Sequence, residues 1–293
     1  MPQPTIDQEK CIACGQCVAT CPSFVFRKVQ GRVEVNPETA GWCFPCAQCM
    51  AVCPTEAVTA NGLDYAGFGD LPTELPDAAG LERLFLTRRS VRHFRKDPVS
   101  REDLEQVLRV AVTAPFGVPP NDVEIAVFST RAQIEAILPP VIEGCEGFIK
   151  QLKNPIGGFF IRRAMGPEMF DALEEHLLPL IPPMCQLYRE KGIDCATWGA
   201  PAMLLFHATR RSCSGRENCL IACTYAMLAA HSLGLGTTMV GIVPPIIDQS
   251  KPLREKLGIP EGNACVISLI VGHPAPKYRR TIPRKFTSVT WLD

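Results

Sequence analysis

Cys11-Ile12-Ala13-Cys14-Gly15-Gln16-Cys17-Val18-Ala19-Thr20-Cys21-Pro22 decides how the first part of this chain folds, and the chain writes the pattern twice. Cys43, Cys46, Cys49, Cys53 and Pro54 repeat the C-x-x-C-x-x-C-x-x-x-C-P spacing 32 residues later. The flanking residues correspond as well, CPSFVF from Cys21 against CPTEAV from Cys53, as an internal duplication would give. Three cysteines at three-residue intervals form a tight loop able to set three sulfurs around one small inorganic core. The fourth lies beyond that loop. Proline after it stops the short segment and fixes the direction of exit.

This is the run that holds pairs of iron–sulfur clusters, in which the fourth cysteine of each run ligates the other cluster. The spacing therefore assigns Cys11, Cys14, Cys17 and Cys53 to one 4Fe–4S cluster, and Cys43, Cys46, Cys49 and Cys21 to a second. Small residues between ligands (Ala13, Gly15, Ala47) leave backbone N–H groups free to approach sulfur, which helps set the potential. Zinc sites favour paired C-x-x-C knuckles over a three-plus-one run closed by proline. A disulfide framework fits poorly, because Met1–Lys10 does not read as a secretory leader. Residues 1–62 resemble bacterial two-cluster ferredoxins, with a longer central hairpin over Arg27–Val35 that turns at Gln30-Gly31.

At 293 residues the chain suits one small and one medium domain. Hydrophobic residues make up 46%, which describes an ordinary folded core. Thirty basic residues balance thirty acidic ones, so there is no electrostatic footprint for nucleic acid. The longest apolar run, Cys219–Ala230 with its interior Thr224, is too short to span a bilayer and predicts a buried helix. Oxygen-sensitive clusters and seven further cysteines point to a reducing compartment, the cytoplasm of an anaerobic organism.

Residues 63–80 read as a linker, rich in Gly, Pro and Asp, and a second domain follows over 81–293. Leu81–Arg89 predicts a helix, and Ser100 caps another reaching Thr113 with Leu104, Val107, Leu108 and Ala111 as its apolar stripe. Strands are expected over Val123–Ser129, Pro201–Ala208 and Ala264–Val271. Pro139–Thr197 is dense in Pro and Gly, and only short helical pieces such as Glu168–Leu178 are expected there.

Three pieces of the second domain carry chemistry. Arg88-Arg89-Ser90-Val91-Arg92 places three guanidiniums and a hydroxyl after a helix, a set suited to an anion because the guanidinium fork binds phosphate bidentately. An apolar helix, Cys219–Gly236, ends in Gly-Leu-Gly and leads into Thr237-Thr238-Met239-Val240-Gly241. A second basic cluster, Lys277-Tyr278-Arg279-Arg280 and Pro283-Arg284-Lys285, follows the last strand. With RRSVRHF before Pro98-Val99, LAAHSLGLGTTMVG, and LREKLGIPEG ahead of a strand and VGHP, the chain from about Leu81 onward resembles the nitroreductase family of flavoproteins.

That resemblance implies an α+β fold, a mixed sheet flanked by helices, in a homodimer that binds FMN at the subunit interface. It implies that Arg88, Arg89, Ser90 and Arg92 hold the FMN phosphate, ribityl chain and pyrimidine edge. Val240 and Gly241 would lie against the isoalloxazine, and Arg284 with Lys285 would complete the phosphate site. Many members carry a Pro-Ser-x-x-Asn-x-Gln-Pro-Trp stretch on the flavin; here Ala114–Asp122 keeps Pro115, with Phe116 and Gly117 beside it, and departs from the rest. The departure weighs against nitroaromatics as physiological substrates.

Gly234-Leu235-Gly236 follows a helix and lacks a third glycine, so it is not a dinucleotide fingerprint. Cys213, Cys219 and Cys223, with Cys195 upstream, could form a metal group, but at i and i+4 on an apolar helix Cys219 and Cys223 fit small core residues better. Cys145, Cys185 and Cys265 read as core thiols. His93, His207 and His231 are candidate proton donors, though a lone histidine is more often structural. Glu143–Trp198, with Tyr188, Arg189 and Trp198, is expected to set substrate choice, and no catalytic residue is assigned. The whole reads as an iron–sulfur flavoprotein oxidoreductase. It would pass electrons from a low-potential donor such as a ferredoxin through two clusters to FMN and on to a small organic acceptor: a nitro compound, quinone or activated alkene. The alternative is an electron-transfer module in which NAD(P)H reduces FMN and the clusters feed a partner protein.

Overall fold

The computed structural model describes residues 4–44, 46–60, 62–118 and 121–292. The chain divides into two compact units, Met1–Pro76 with Val118–Asn121, and Asp77–Gly117 with Asp122–Asp293.

The first unit runs β1 (Thr5–Ile6), α1 (Gln16–Thr20), β2 (Phe26–Val29), β3 (Arg32–Val35), α2 (Gln48–Ala51) and β4 (Val58–Thr59). β1 pairs antiparallel with β4, and β2 with β3. The hairpin turns at Gln30-Gly31, both with positive φ, the backbone hand that a two-residue turn between twisted strands requires. The duplication is visible in the backbone. Gly15 and Ala47 are left-handed and open α1 and α2; Phe24 and Glu56 are left-handed three residues past each fourth cysteine. Phe26 and Val58 occupy equivalent positions and are both buried. Tyr65, at the start of a short 3-10 turn, donates its hydroxyl to Val58 O at 2.8 Å.

The second unit begins with α3 (Ala78–Thr87) and α4 (Arg101–Ala111), followed by β5 (Val123–Phe128). Four long helices intervene after α5 (Arg131–Glu135): α6 (Leu138–Lys153), α7 (Pro155–Met165), α8 (Pro167–His176) and α9 (Ile181–Lys191). Then come β6 (Ala202–Thr209), α10 (Gly215–Ser232), β7 (Gly236–Val240), α11 (Val243–Gln249), α12 (Lys251–Lys256) and β8 (Asn263–Gly272). The strands order β5-β6-β8-β7 with antiparallel neighbours, and a parallel bridge from Ser90 to Thr237 lies outside the named strands. One apolar cluster, with α6, α9 and α11, covers one set of strand residues (Met203, Leu205, Ile270); a second, with α4 and α10, covers the alternate set (Leu204, Phe206, Leu269). That explains why β6 reads as a continuous apolar run: both its faces are inside.

Two expectations need correction. Residues 139–197 are largely helical, not a stretch of short pieces. All of their prolines but Pro179, which lies in the turn before α9, sit in the first turns of α6, α7, α8 and α9, where the missing N–H has no intrahelical partner to lose. The apolar helix expected to reach Gly236 ends at Ser232, because Gly234 takes φ +78 and turns the chain into β7. Ser100 caps α4 as expected, its Oγ accepting from Asp103 N at 3.0 Å, with Leu104, Val107 and Ala111 buried.

Candidate functional site

The cysteines of the first unit surround two separate hollows. One is lined by Cys11, Cys14, Cys17 and Cys53 together with Ile12, Val33, Thr55 and Val58. The other is lined by Cys43, Cys46, Cys49 and Cys21 with Phe44, Val25 and Ala60. In each, three sulfurs of one loop meet the fourth cysteine of the other. No group of three or more His, Cys, Asp or Glu among the described residues is arranged to hold a single metal ion. A lone zinc draws its sulfurs to about 2.3 Å from one point. A ring of four around an open space suits a bulkier core.

The thiol environments support that reading. Burial, then the neighbouring Cys46, pushes the Cys49 thiol up to about 11. Burial likewise raises Cys17, with Cys53, Cys11 and Cys14 adding to it. Thiols packed this closely resist becoming bare thiolates; a cationic core would reverse the sign, since a bound metal favours deprotonation. Backbone donors are already aimed at sulfur. Val25 N–H reaches Cys21 Sγ at 3.4 Å and Ala57 N–H reaches Cys53 Sγ at 3.2 Å, the same bond in both halves of the repeat. Burial would raise Cys53 too, but hydrogen bonds from the Thr55, Ala57 and Val58 backbone outweigh it and leave the thiol lowered.

In the second unit the arginine segment is zipped to the sheet. Val91 N donates to Thr237 O at 2.9 Å and Thr238 Oγ1 donates to Val91 O at 2.7 Å. Gly236 permits this: a Cβ there would meet the Val91 side chain at 2.7 Å. Arg88 lies half-buried among like charges, and burial, then Arg284 and Arg89, lowers its pKa. Arg89 is committed to the backbone, donating to Leu86 O, Arg88 O and Arg280 O at 2.7, 2.6 and 2.8 Å. It thus ties the C-terminal segment carrying Arg284 to the motif. Two buried polar atoms there lack a partner, Arg89 Nε and Thr237 Oγ1. Arg88, Arg89 and Arg284 gather here, a residue type whose guanidinium forks suit an anion.

His231 joins this cluster, its Nε2 lying 2.9 Å from Thr87 Oγ1. Burial, then Arg88 and Arg89, lowers its pKa. Arg92 lies over the Trp198 ring at 5.2 Å, within the range for a cation–π contact. Trp198 has φ +50, an uncommon backbone for an aromatic. Asp194 holds it there, accepting from Ala196 N, Thr197 N and Gly199 N, while Arg131 bridges Asp194, Thr197 and Ala200. No local pattern marks this staple, because Arg131 lies 63 residues from Asp194 in sequence.

Other candidates sit elsewhere. Gly117 N donates to Asn218 Oδ1 at 2.7 Å near the start of α10, while His231 is in its last turn. Roughly 20 Å of helix therefore separates the Pro115–Gly117 segment from the arginine cluster. Pro119 and Pro120 of that segment lie outside the described residues. His207 is buried against Asn263 at 2.9 Å and burial lowers its pKa, a structural role. His93 is exposed; Val240 closes β7 buried, Gly241 follows it exposed, and Lys285 is exposed. Cys219 and Cys223 are fully buried in the second core.

A small cysteine-loop unit and a helix-flanked sheet carrying an arginine cluster make this an α+β protein. The 4Fe-4S dicluster domain model matches residues 10–58, and the nitroreductase family model matches residues 86–273. The chain belongs to the nitroreductase family. Its fold is similar to a nitroreductase with bound FMN from Bacteroides fragilis (15% identity, TM-score 0.56, covering 73% of this chain and 98% of that one). It is also similar to a nitroreductase with bound FMN from Desulfitobacterium hafniense (18%, TM-score 0.52, 72% and 97%). A third similar structure is an iodotyrosine deiodinase bound to FMN and 3-iodo-L-tyrosine (21%, TM-score 0.50, 73% and 99%). No curated protein matches the chain in sequence. No helix among the described residues is long and apolar enough to cross a membrane.

Proposed function

We propose that this chain is an iron–sulfur flavoenzyme that takes electrons from a low-potential donor protein such as a ferredoxin and reduces a small organic acceptor, a nitro compound, quinone or activated alkene. The observation that carries the reading is the crossed grouping of Cys11, Cys14, Cys17 with Cys53 and of Cys43, Cys46, Cys49 with Cys21, in one chain with a nitroreductase domain. When bound, two 4Fe–4S clusters supply single-electron transfer and FMN supplies the conversion to two-electron chemistry.

The chain's own residues divide the remaining work. The eight cysteines hold the clusters, and the Val25 and Ala57 N–H groups stabilise charge on their sulfurs. Arg88 and Arg284 bind the FMN phosphate, with Ser90 and Lys285 beside them, while Arg89 fixes the C-terminal segment in place. Arg92, held over the Trp198 ring, would supply a cation near the flavin's pyrimidine end, a charge that favours the reduced form. Val240 and Gly241, at the end of β7, would offer backbone contacts to the flavin. The Pro115, Phe116 and Gly117 segment is too far along α10 to serve the same arginine cluster. This separation supports a homodimer in which each FMN draws on both chains.

The test is an anaerobic reductive titration of protein with intact clusters, following flavin and cluster absorbance separately. Reduced ferredoxin should bleach the clusters first and the flavin after them, and NADH and NADPH should act slowly or not at all. Rapid flavin bleaching by a nicotinamide with the clusters following would reverse the direction and make the chain an electron-transfer module. Protein without flavin absorbance would end the proposal.

A further inference from the structure

The two cysteine hollows are built on one repeat, but they are not electrically equal. Lys28 donates its Nζ to Ala13 O at 2.7 Å. Ala13 is the left-handed residue inside the Cys11–Cys14 loop, so an ammonium group is fastened to the backbone that wraps the first hollow. The residue 32 positions later is Ala60, a buried methyl that lines the second hollow. Nearby Arg27 is spent on Glu34 across the hairpin, which leaves Lys28 as the uncompensated charge on that strand. A second difference points the same way. Thr55 lines the first hollow and its repeat counterpart Ser23 lines the second, but among the described residues only Thr55 Oγ1 approaches its neighbouring sulfur, Cys53 Sγ at 3.9 Å, beside the Ala57 N–H already there.

Each reduction adds one negative charge to a cluster that its ligands already make anionic. A cation and extra donors near the sulfurs favour the reduced state, and hydrogen bonding to sulfur is a recognised determinant of potential. We infer that the cluster held by Cys11, Cys14, Cys17 and Cys53 has the higher potential of the two, and that Lys28 sets the difference. The inference rests on the proposed cluster assignment. It makes the first cluster the resting place of an electron entering the unit, with the second cluster the stronger reductant. Lys28 is a positioning and potential-setting residue, not a ligand.

The experiment is an anaerobic redox titration of the full chain followed by electron paramagnetic resonance, with iron and sulfide measured on the same samples. Wild type should show two reduction steps. Lys28→Met should move the higher step to lower potential by a threefold to tenfold change in the reduction equilibrium, tenfold being about 59 mV for a one-electron couple. Thr55→Val should move the same step in the same direction by less. Lys28→Arg should restore it, and raising salt should shrink the Lys28 effect because the side chain is exposed. Movement of both steps equally, of neither, or of different steps by Lys28→Met and Thr55→Val would overturn the inference while leaving the cluster assignment standing. Wild-type protein without two clusters' worth of iron and sulfide would overturn both.

Discussion

The two units of this chain solve the problem of a stable interior in opposite ways. In the second, β6 is buried along Ala202–Ala208 and carries apolar side chains into clusters on both sides of the sheet. Each large side chain so buried contributes roughly 1.5–3 kcal/mol. In the first, the helices are four and five residues long, two strands have two residues each, and the buried apolar cluster is small: Val25, Phe26, Val33, Met50, Val58 and Ala60, with Cys17 and Cys49 among them. A unit of that size falls in the range where metals or cross-links are usually needed for folding. The sheet unit carries its own interior, and the cysteine unit is completed by what the cysteines bind.

The largest effects should come from breaking that dependence. Stripping iron with a chelator should unprotect the amides of residues 4–60 in hydrogen exchange while β5 to β8 stay protected. Loss of protection in both units together would show that the second unit leans on the first. Cys14→Ser should abolish turnover driven by a protein donor yet leave FMN bound, and unimpaired turnover would remove the cysteines from the electron path. The reciprocal experiment strikes the sheet. Phe206 is fully buried in the second core, and Phe206→Ala should destabilise that unit by about 3–5 kcal/mol with iron content unchanged. The denaturant midpoint of the second unit, followed by exchange, measures it.

A smaller effect sharpens the comparison within the anion site. Arg88 is unspent and crowded by Arg89 and Arg284, whereas Arg89 is consumed by three backbone carbonyls. Arg88→Ala should weaken FMN binding tenfold to a hundredfold, about the 1.5–3 kcal/mol of a hydrogen bond to a charged group, without lowering the unfolding midpoint of the apoprotein. Arg89→Ala should lower that midpoint, because it releases the segment at Arg280 and strands carbonyls. Equal behaviour of the two variants would erase the distinction.

The same contrast governs how much could be read from sequence. The cysteine spacing carried both the cluster chemistry and the crossed grouping, because three-residue intervals leave a loop few shapes. The hairpin at Gln30-Gly31 and the strands β5, β6 and β8 were equally legible from turn chemistry and apolar runs. The helices over 139–191 were not. A proline in a first turn and a proline that breaks a helix look alike until the capping position is known. Nor could the Asp194–Arg131 staple under Trp198 be seen, since its parts are remote in sequence. The arginine motif predicts an anion site without ranking its members, and only the fold separates Arg88, whose guanidinium makes no hydrogen bond among the described residues, from Arg89, which is bonded to three backbone carbonyls.

The smallest effect is one of pH, and its sign follows from His231. An unperturbed histidine titrates near about 6.5. Burial, then Arg88 and Arg89, holds His231 below that value in the folded chain. Between the two values the unfolded chain binds more protons, so stability rises with pH there. The contribution is therefore complete above the unfolded pKa. It is lost as pH falls through that value, and levels off once the folded histidine also titrates. His207, lowered by burial, adds a contribution of the same sign and keeps a residual slope in His231→Gln. The two can be told apart by FMN. A phosphate beside Arg88 and Arg89 offsets the charges that depress His231, so FMN should raise the His231 pKa and leave His207 where it is. Nuclear magnetic resonance titration of the two imidazoles, with and without FMN, reads this directly. If FMN binds and His231 does not move, the anion is held elsewhere, and the arginine cluster has to be reassigned from phosphate binding to packing of the C-terminal segment.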